Sequence, residues 1–421
     1  MAVTLTDAAS VEERVLRSVE LQLAQRLGER SSTRIGLEDQ EWVYGMVGRV
    51  VAEEHRLAGL AADRDASSAM WRRVFGAVTP LGPLADHLAD PLVEEVRING
   101  TRSAFVLREG HRFEVAPPFA SEEALVELVH WYTDGAGSAR LDRSSPMVTL
   151  TLPYGSRLHA ALSPPARPLT VTIRRHLTSR FRELADLAAA GFLRSSAIPF
   201  LAAMVRGRLN VLVAGGTGTG KTTFVRCLCR LIPAAERLVT IEDQAELHLW
   251  RELPDCVSLE GRPANIEGRG AIGIQLLVHD ALRMSPDRIV IGEVRGAEAL
   301  DLLDAMNTGH PGSICTIHSD SPRDTLPRLA RLALRNPAAP RPEAITAEIA
   351  RTIDLVLHLG VSSEGDVRRR RLRSIGVVLE SADGQPVVEE LGSFQELPAR
   401  IQAKLEAGGF QPRSRSERAD G

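Results

Sequence analysis

Gly215, Gly216, Thr217, Gly218, Thr219, Gly220, Lys221, Thr222 and Thr223 form one unbroken run. Their spacing is GxxxxGK[ST], which between a strand and a helix makes a phosphate-binding loop. Each residue type has a physical task. Glycines let successive backbone N–H groups curl around phosphate oxygens, and the following helix N-terminus adds partial positive charge. The Lys221 ammonium can reach β- and γ-phosphates, and the Thr222 hydroxyl can ligate Mg²⁺. Lysine occurs only at 221 and 404, every other basic residue being arginine. A compact point charge is thus kept where phosphate chemistry wants one. The plainer alternative is a Gly/Thr turn that merely joins strand to helix. The flanks argue against it: apolar Val211, Leu212, Val213 and Ala214 precede the loop. A helical pattern of Phe224, Val225, Leu228, Leu231 and Ile232 follows, stopped by Pro233.

Four more short apolar runs read as strands, at 238–241, 288–291, 314–317 and 353–357, with helical patterns between them. Such alternation over 196–392 predicts a buried parallel sheet covered on both faces. Ligands bind such sheets at the carboxyl ends of the strands. The residues there are ionisable: Glu242 and Asp243, then Glu293 and Arg295, then His318. Phosphoryl transfer to water needs a metal ion, an oriented water and positive charge on the γ-phosphate. Glu293 fits as the carboxylate holding Mg²⁺ through water. Glu242 fits as the base that orients and deprotonates the attacking water. His318 can hydrogen-bond the γ-phosphate and report its loss. His310, in Gly309-His310-Pro311-Gly312, reads equally as a loop-shaping residue or a phosphate contact. Earlier in the chain Arg157 follows the Tyr154-Gly155-Ser156 turn, and Arg174-Arg175 end the β-branched strand Val171-Thr172-Ile173. Composition favours solvated strand ends; the sharper reading is a set of arginines reaching a neighbouring subunit's nucleotide.

The remaining segments position this chemistry. Over 1–82, Val15, Leu16, Val19, Leu23 and Leu27 recur at helical spacing, as do Val43, Met46, Val47, Val50 and Val51. Ser31, Ser32 and Thr33 separate the two helices, and Trp71, Val74 and Phe75 suggest a third. Over 83–176 the pattern becomes mixed α/β. A hairpin turns at Asn99-Gly100, a helix follows over 122–131, and strands follow near 147–153, 156–162 and 169–174, the first two joined at Tyr154-Gly155. Residues 177–195 read as a linker or hinge. Residues 393–421 read as a helix and a polar, disordered tail. Arg368 to Arg371, with Arg373, form a basic run in a hairpin strand, either a charge-protected edge or a membrane- or platform-facing patch.

With 421 residues the chain has room for two or three domains. A net charge of −3 and 4% aromatic residues offer neither a basic field nor stacking platforms for nucleic acid. No apolar run approaches the roughly 20 residues of a membrane span, and the first residues lack a signal layout, so a cytoplasmic protein is expected. Cys227, Cys229, Cys256 and Cys315 form no CxxC pair, which argues against structural zinc and a disulfide framework.

Together these motifs resemble the type II/IV secretion ATPase superfamily, closest to the tight-adherence (Flp) pilus assembly ATPases. The resemblance is carried by GGTGTGKTT at 215–223, TIEDQAEL at 240–247, RPANIEGRG at 262–270, ALRMSPDRIVIGEVRGAEALDLLDAMNTGHPGS at 281–313 and TIHSDSPRD at 316–324. Earlier, DRSSPMV at 142–148, LPYGSRLHAALSPP at 152–165 and TVTIRR at 170–175 match too. The resemblance covers about 84–392. It implies an α/β fold: a RecA-like P-loop ATPase domain with a parallel-rich sheet, preceded by a mixed α/β (PAS-like) domain and a helical appendage. It implies ATP and Mg²⁺ as ligands, and a homohexamer in which ATP is sandwiched at a subunit boundary. Arg157, Arg174 and Arg175 then match arginines that approach the phosphates. The implied partner is an inner-membrane platform protein of a pilus or secretion system, with the ATPase peripheral to the membrane and no nucleic acid bound. Ser285, the His279-Asp280 pair and Asp320 depart from the family pattern. A conjugation or effector-secretion ATPase shares this chemistry; a nucleic-acid translocase or a non-hydrolysing nucleotide switch is a more distant alternative.

Overall fold

The computed structural model describes residues 5–27, 37–59, 82–90, 92–136, 140–152, 156–175, 181–262, 264, 269–364, 367–381, 383–391 and 396–411, with isolated helical positions between 67 and 78. The expected separator at Ser31–Thr33, the Tyr154-Gly155 turn and the tail at 412–421 lie outside the described residues. The chain divides into two units, Met1–Leu177 and Thr178–Gly421.

In the first unit the helical spacing of valines produces helices Leu5–Leu27 and Leu37–Leu57. They bury Val11, Val15, Val19, Val43, Met46 and Val47. These residues belong to the same core as the sheet that follows, so the two helices and the sheet pack as one body. The sheet contains β1 (Val93–Asn99), β2 (Ser103–Arg108), β3 (His111–Val115), β4 (Met147–Thr151), β5 (Arg157–Ala161) and β6 (Thr170–Arg174). Their order is β3-β2-β1-β6-β5-β4, antiparallel at every pairing. Helix Glu122–Ala136 supplies Leu125, Leu128, Val129 and Tyr132 to the core. Strand β3 was not foreseen in the sequence. It has no buried residue, so it carries no alternating signal and is recruited by backbone pairing to β2 alone.

The second unit contains β7 (Val211–Gly215), β8 (Leu238–Glu242), β9 (Cys256–Glu260), β10 (Arg288–Val294), β11 (Ile314–Ile317), β12 (Leu355–Glu364), β13 (Val367–Glu380) and β14 (Pro386–Glu390). Their order is β14-β13-β12-β7-β11-β10-β8-β9. From β12 to β9 every pairing is parallel, and β12-β13-β14 is an antiparallel extension. Strand β7 is buried throughout, as a sheet covered on both faces demands. Leu212, Ala214, Val239, Ile241, Ile289 and Ile291 enter one core. Val211, Val213, Leu238, Val290, Leu355 and Leu357 enter the other.

Two boundaries differ from the sequence reading. The expected hinge at 177–195 is for the most part built into the second unit. Within it, helix Leu184–Ala189 buries Leu184 and Leu187, and Phe192 and Leu193 join the same core. The Asp186 carboxylate accepts the Arg182 and Glu183 backbone N–H groups at 2.8 and 2.9 Å and so holds the helix start. Helix Ala399–Ala407, expected as a separate C-terminal piece, also buries Ile401 and Leu405 in that core. It is stapled by Asp354, fully buried at the start of β12. Asp354 accepts from Lys404 Nζ at 2.7 Å, Arg400 at 2.5 Å and the Asn210 backbone N–H at 2.9 Å. A buried carboxylate needs such a set of donors.

Candidate active site

The phosphate loop leaves β7 and enters helix Lys221–Cys229, as its sequence context requires. Gly218 and Gly220 have φ of +74° and +93°, a region open to glycine and strained for other residues. The Lys221 side chain lies across the loop, donating to the Gly215 and Gly216 carbonyls at 2.8 and 2.9 Å. Thr219 donates to the same Gly216 carbonyl at 2.9 Å. These bonds draw the loop back on itself around the lysine side chain.

Three neighbouring strands deliver their ionisable residues to this side of the sheet. Glu242 ends β8 and is buried. Its carboxyl accepts the Glu246 N–H at 3.2 Å and the Leu247 N–H at 3.2 and 3.3 Å. Burial pushes its pKa up to about 8, outweighing those two donors. Gly292 in β10 makes the space: a Cβ there would lie 2.8 Å from Glu242 Cγ.

Glu293 follows at a bulge where β10 loses register with β11. It accepts from Arg295 at 2.6 Å, and His318 Nε2 lies 3.1 Å from its other oxygen. Burial would raise its pKa, but the Arg295 hydrogen bond and the charges of Arg295, His318 and Lys221 hold it below the usual glutamate value. The Arg295 guanidinium also reaches Asp243 at 3.1 Å. At the end of β11, His318 is pushed below its ordinary value, first by burial and then by the nearby Lys221. The two carboxylates are therefore in opposite states near neutrality. Glu293 is charged inside a cationic set, and Glu242 holds its proton.

One residue of the cluster was not singled out in the sequence. The Thr222 hydroxyl donates to Glu246 at 3.0 Å. Glu293, expected to hold a metal ion with Thr222, accepts from Arg295 and lies against His318 in the ligand-free protein. The carboxylate beside Thr222 is Glu246, four residues beyond β8. A Mg²⁺ ion that arrives with nucleotide takes one or two hard protein oxygens and leaves the rest to phosphate and water. The Thr222 hydroxyl and Glu246 carboxylate fit that demand. No group of three or more metal-binding side chains occurs among the described residues.

The other sequence candidates fall elsewhere. His310 bonds the Pro286 carbonyl at 2.8 Å, just before β10 begins, and so shapes a loop at the sheet's opposite end. Arg157 and Arg174 stand in the first unit, directly opposite each other on β5 and β6 and both exposed. Like charges in register repel, a penalty that a bound anion would lift. Arg175 differs from the expected set: its guanidinium donates to the Asp90 and Val93 carbonyls of its own unit.

A Mycobacterium tuberculosis relative bearing a conjugal transfer protein's name is 40% identical over 273 residues, 63% of this chain and 75% of the relative. VirB11 of Agrobacterium fabrum is 31% identical over 337 residues, 71% of this chain and 96% of VirB11. The solved structure of the Yersinia pseudotuberculosis ATPase DotB shares the fold, with a TM-score of 0.53 at 16% identity, covering 74% of this chain and 80% of DotB. The profile described as "Type II/IV secretion system protein" matches residues 79–369, which span the sheet of the first unit, the phosphate loop and every strand-end residue described above. The chain belongs to the type II/IV secretion system protein family.

Proposed function

We propose that this chain is an ATP-hydrolysing motor of a secretion or conjugation system, built on a RecA-like domain. The observation that carries the reading is a buried carboxyl made more basic by its surroundings, Glu242, beside a phosphate loop whose lysine and threonine are in place. The loop N–H groups and Lys221 bind the β- and γ-phosphates. Thr222 and Glu246 would hold Mg²⁺, which neutralises charge on the transferred phosphoryl group. The ionised form of Glu242, a stronger base for its raised pKa, orients the attacking water and takes its proton. Glu293 fixes Arg295 and, in the nucleotide-free protein, accepts the single N–H of the neutral His318; that N–H turns to the γ-phosphate when ATP binds and returns to Glu293 when phosphate leaves. Arg157 and Arg174 add positive charge to a phosphate in a homohexameric ring.

The names of the relatives, a conjugal transfer protein and a Brucella suis type IV secretion system protein VirB11 among them, support type IV secretion or conjugation as the system served. A second reading, assembly of a tight-adherence pilus, rests on the long motif matches across 142–175 and 240–324. In both, the protein acts peripherally at the inner face of a membrane on a platform protein; no helix among the described residues is long and apolar enough to cross one.

ATPase activity per protomer, measured across protein concentrations with Lys221→Ala as background, tests the enzymatic reading. Specific activity that climbs as hexamers form supports a site completed between subunits. A rate no higher than that of the variant in assembled hexamers refutes hydrolysis. A deletion strain separates the systems: loss of macromolecular transfer with surface filaments intact favours the first, and the converse favours the second.

A further inference from the structure

The basic run of β13 reaches the phosphate loop. Arg370 Nε donates to the Gly218 carbonyl at 2.8 Å. Its stem runs on along the loop, with Cδ 3.8 Å from where a Cβ on Gly220 would stand. Phe192 approaches the same point to 3.5 Å, and its carbonyl accepts the Leu372 N–H of β13 at 2.7 Å. The strand carrying Arg370 is thus fastened on both sides, to β12 by the register Val361↔Arg370 and to residue 192 by its backbone. It is two strands away from β7, so only a long side chain closes the distance.

We propose that Arg370 is a positioning residue for the phosphate loop. This inference rests on the nucleotide-binding reading above and adds a residue that the loop motif does not contain. The physical reason lies in the peptide between Gly218 and Thr219. Gly218, at a φ of +74°, gives that peptide more freedom to turn over than a substituted residue would, exchanging its N–H for its carbonyl. A flipped peptide would aim an oxygen at the phosphates. A guanidinium bound to the Gly218 carbonyl from outside the loop pins the orientation that leaves the N–H groups for the ligand. It also places one positive charge behind the loop. The basic run therefore has an inward-facing member, whereas Arg369, next along the strand, points to the opposite face and is exposed.

The test is ADP binding by isothermal titration calorimetry together with steady-state ATPase kinetics on the full chain. Arg370→Ala is expected to weaken ADP and raise KM for ATP by about 5- to 10-fold, the loss of one charge-assisted hydrogen bond at a partly exposed place, with kcat within about 2-fold. Arg370→Lys, which keeps the charge and a donor, is expected to recover most of that affinity, and Arg369→Ala to bind as the unaltered protein does. Equal losses in Arg369→Ala and Arg370→Ala overturn the proposal, because they would reflect a general field. An Arg370→Ala protein with unaltered affinity overturns it too. If Arg370→Ala does not fold, Arg370→Gln replaces it: unchanged affinity refutes the proposal, and a loss that Arg370→Lys recovers supports it. A chain that binds neither ATP nor ADP before any substitution refutes the nucleotide reading itself.

Discussion

Glu242→Gln isolates what burial does to the base. The ordinary glutamate value is 4.5, and in the folded protein Glu242 is pushed up to about 8. The folded state therefore keeps a proton that the unfolded chain releases. Its contribution to stability is full below pH 4.5, declines as pH rises, and is gone above about pH 8. At about 1.4 kcal/mol per pH unit the whole interval sets a ceiling of about 5 kcal/mol, and relaxation around a site edged by the loop reduces it to a few kcal/mol. Glutamine fits the same space, keeps a carbonyl for the Glu246 and Leu247 N–H groups, and cannot ionise. The melting temperature of the nucleotide-free variant, compared with the unaltered protein by scanning calorimetry, should show a gap that widens between pH 5.5 and pH 8. About 2–4 °C per kcal/mol applies to a body of this size, so the gap should reach several degrees. In parallel, ATP turnover should fall by about 10²- to 10⁴-fold while ADP binding survives. A gap that stays constant with pH would refute the claim that Glu242 is neutral in the fold. Undiminished turnover would refute its role as base.

Gly292→Ala should act through the same carboxyl: its Cβ would meet Glu242 Cγ at 2.8 Å, so kcat is expected to fall at least about 10-fold with little change in ADP affinity. Glu246→Gln should raise the Mg²⁺ concentration for half-maximal ATPase activity several-fold, because it weakens the acceptor beside Thr222. The imidazole of His318, followed by NMR, should titrate below its ordinary 6.5, and Glu293→Gln should lower it further by removing the one neighbouring charge that raises it. Asp354→Ala should lower stability by about 3–5 kcal/mol, read as a fall in melting temperature, since it strands Lys404, Arg400 and the Asn210 N–H around a buried gap.

The loop and its catalytic neighbours were legible because parallel sheets announce themselves twice. Continuous apolar runs mark the strands, and the first polar residue after each marks the side where ligands bind. Glu242, Glu293 and His318 were all found this way. Glu246 escaped because its place depends on how the chain after β8 turns back over Glu242, a tertiary event with no local period. Edge strands β3, β9 and β14 escaped for a related reason: with at most a half-buried face, they carry little hydrophobic alternation. The region at 177–195 resembled a linker in composition, yet Leu184, Leu187, Phe192 and Leu193 fill the second core. Arg174 and Arg175 were indistinguishable as a dipeptide. Only strand alternation separates them, turning one to solvent and the other onto the Asp90 and Val93 carbonyls.

The scarcity of lysine makes the chain a natural reporter for amine chemistry. Apart from the α-amino group, acylating reagents find amines only at Lys221 and Lys404. Lys404 is tied to the buried Asp354, and Lys221 lies folded on the loop carbonyls. Intact-mass spectra after brief acylation would then show few adducts. On longer exposure Lys221 should react slowly, whenever its side chain leaves the loop carbonyls, and nucleotide covering the loop should suppress that adduct, so occupancy could be read without a label or an engineered probe.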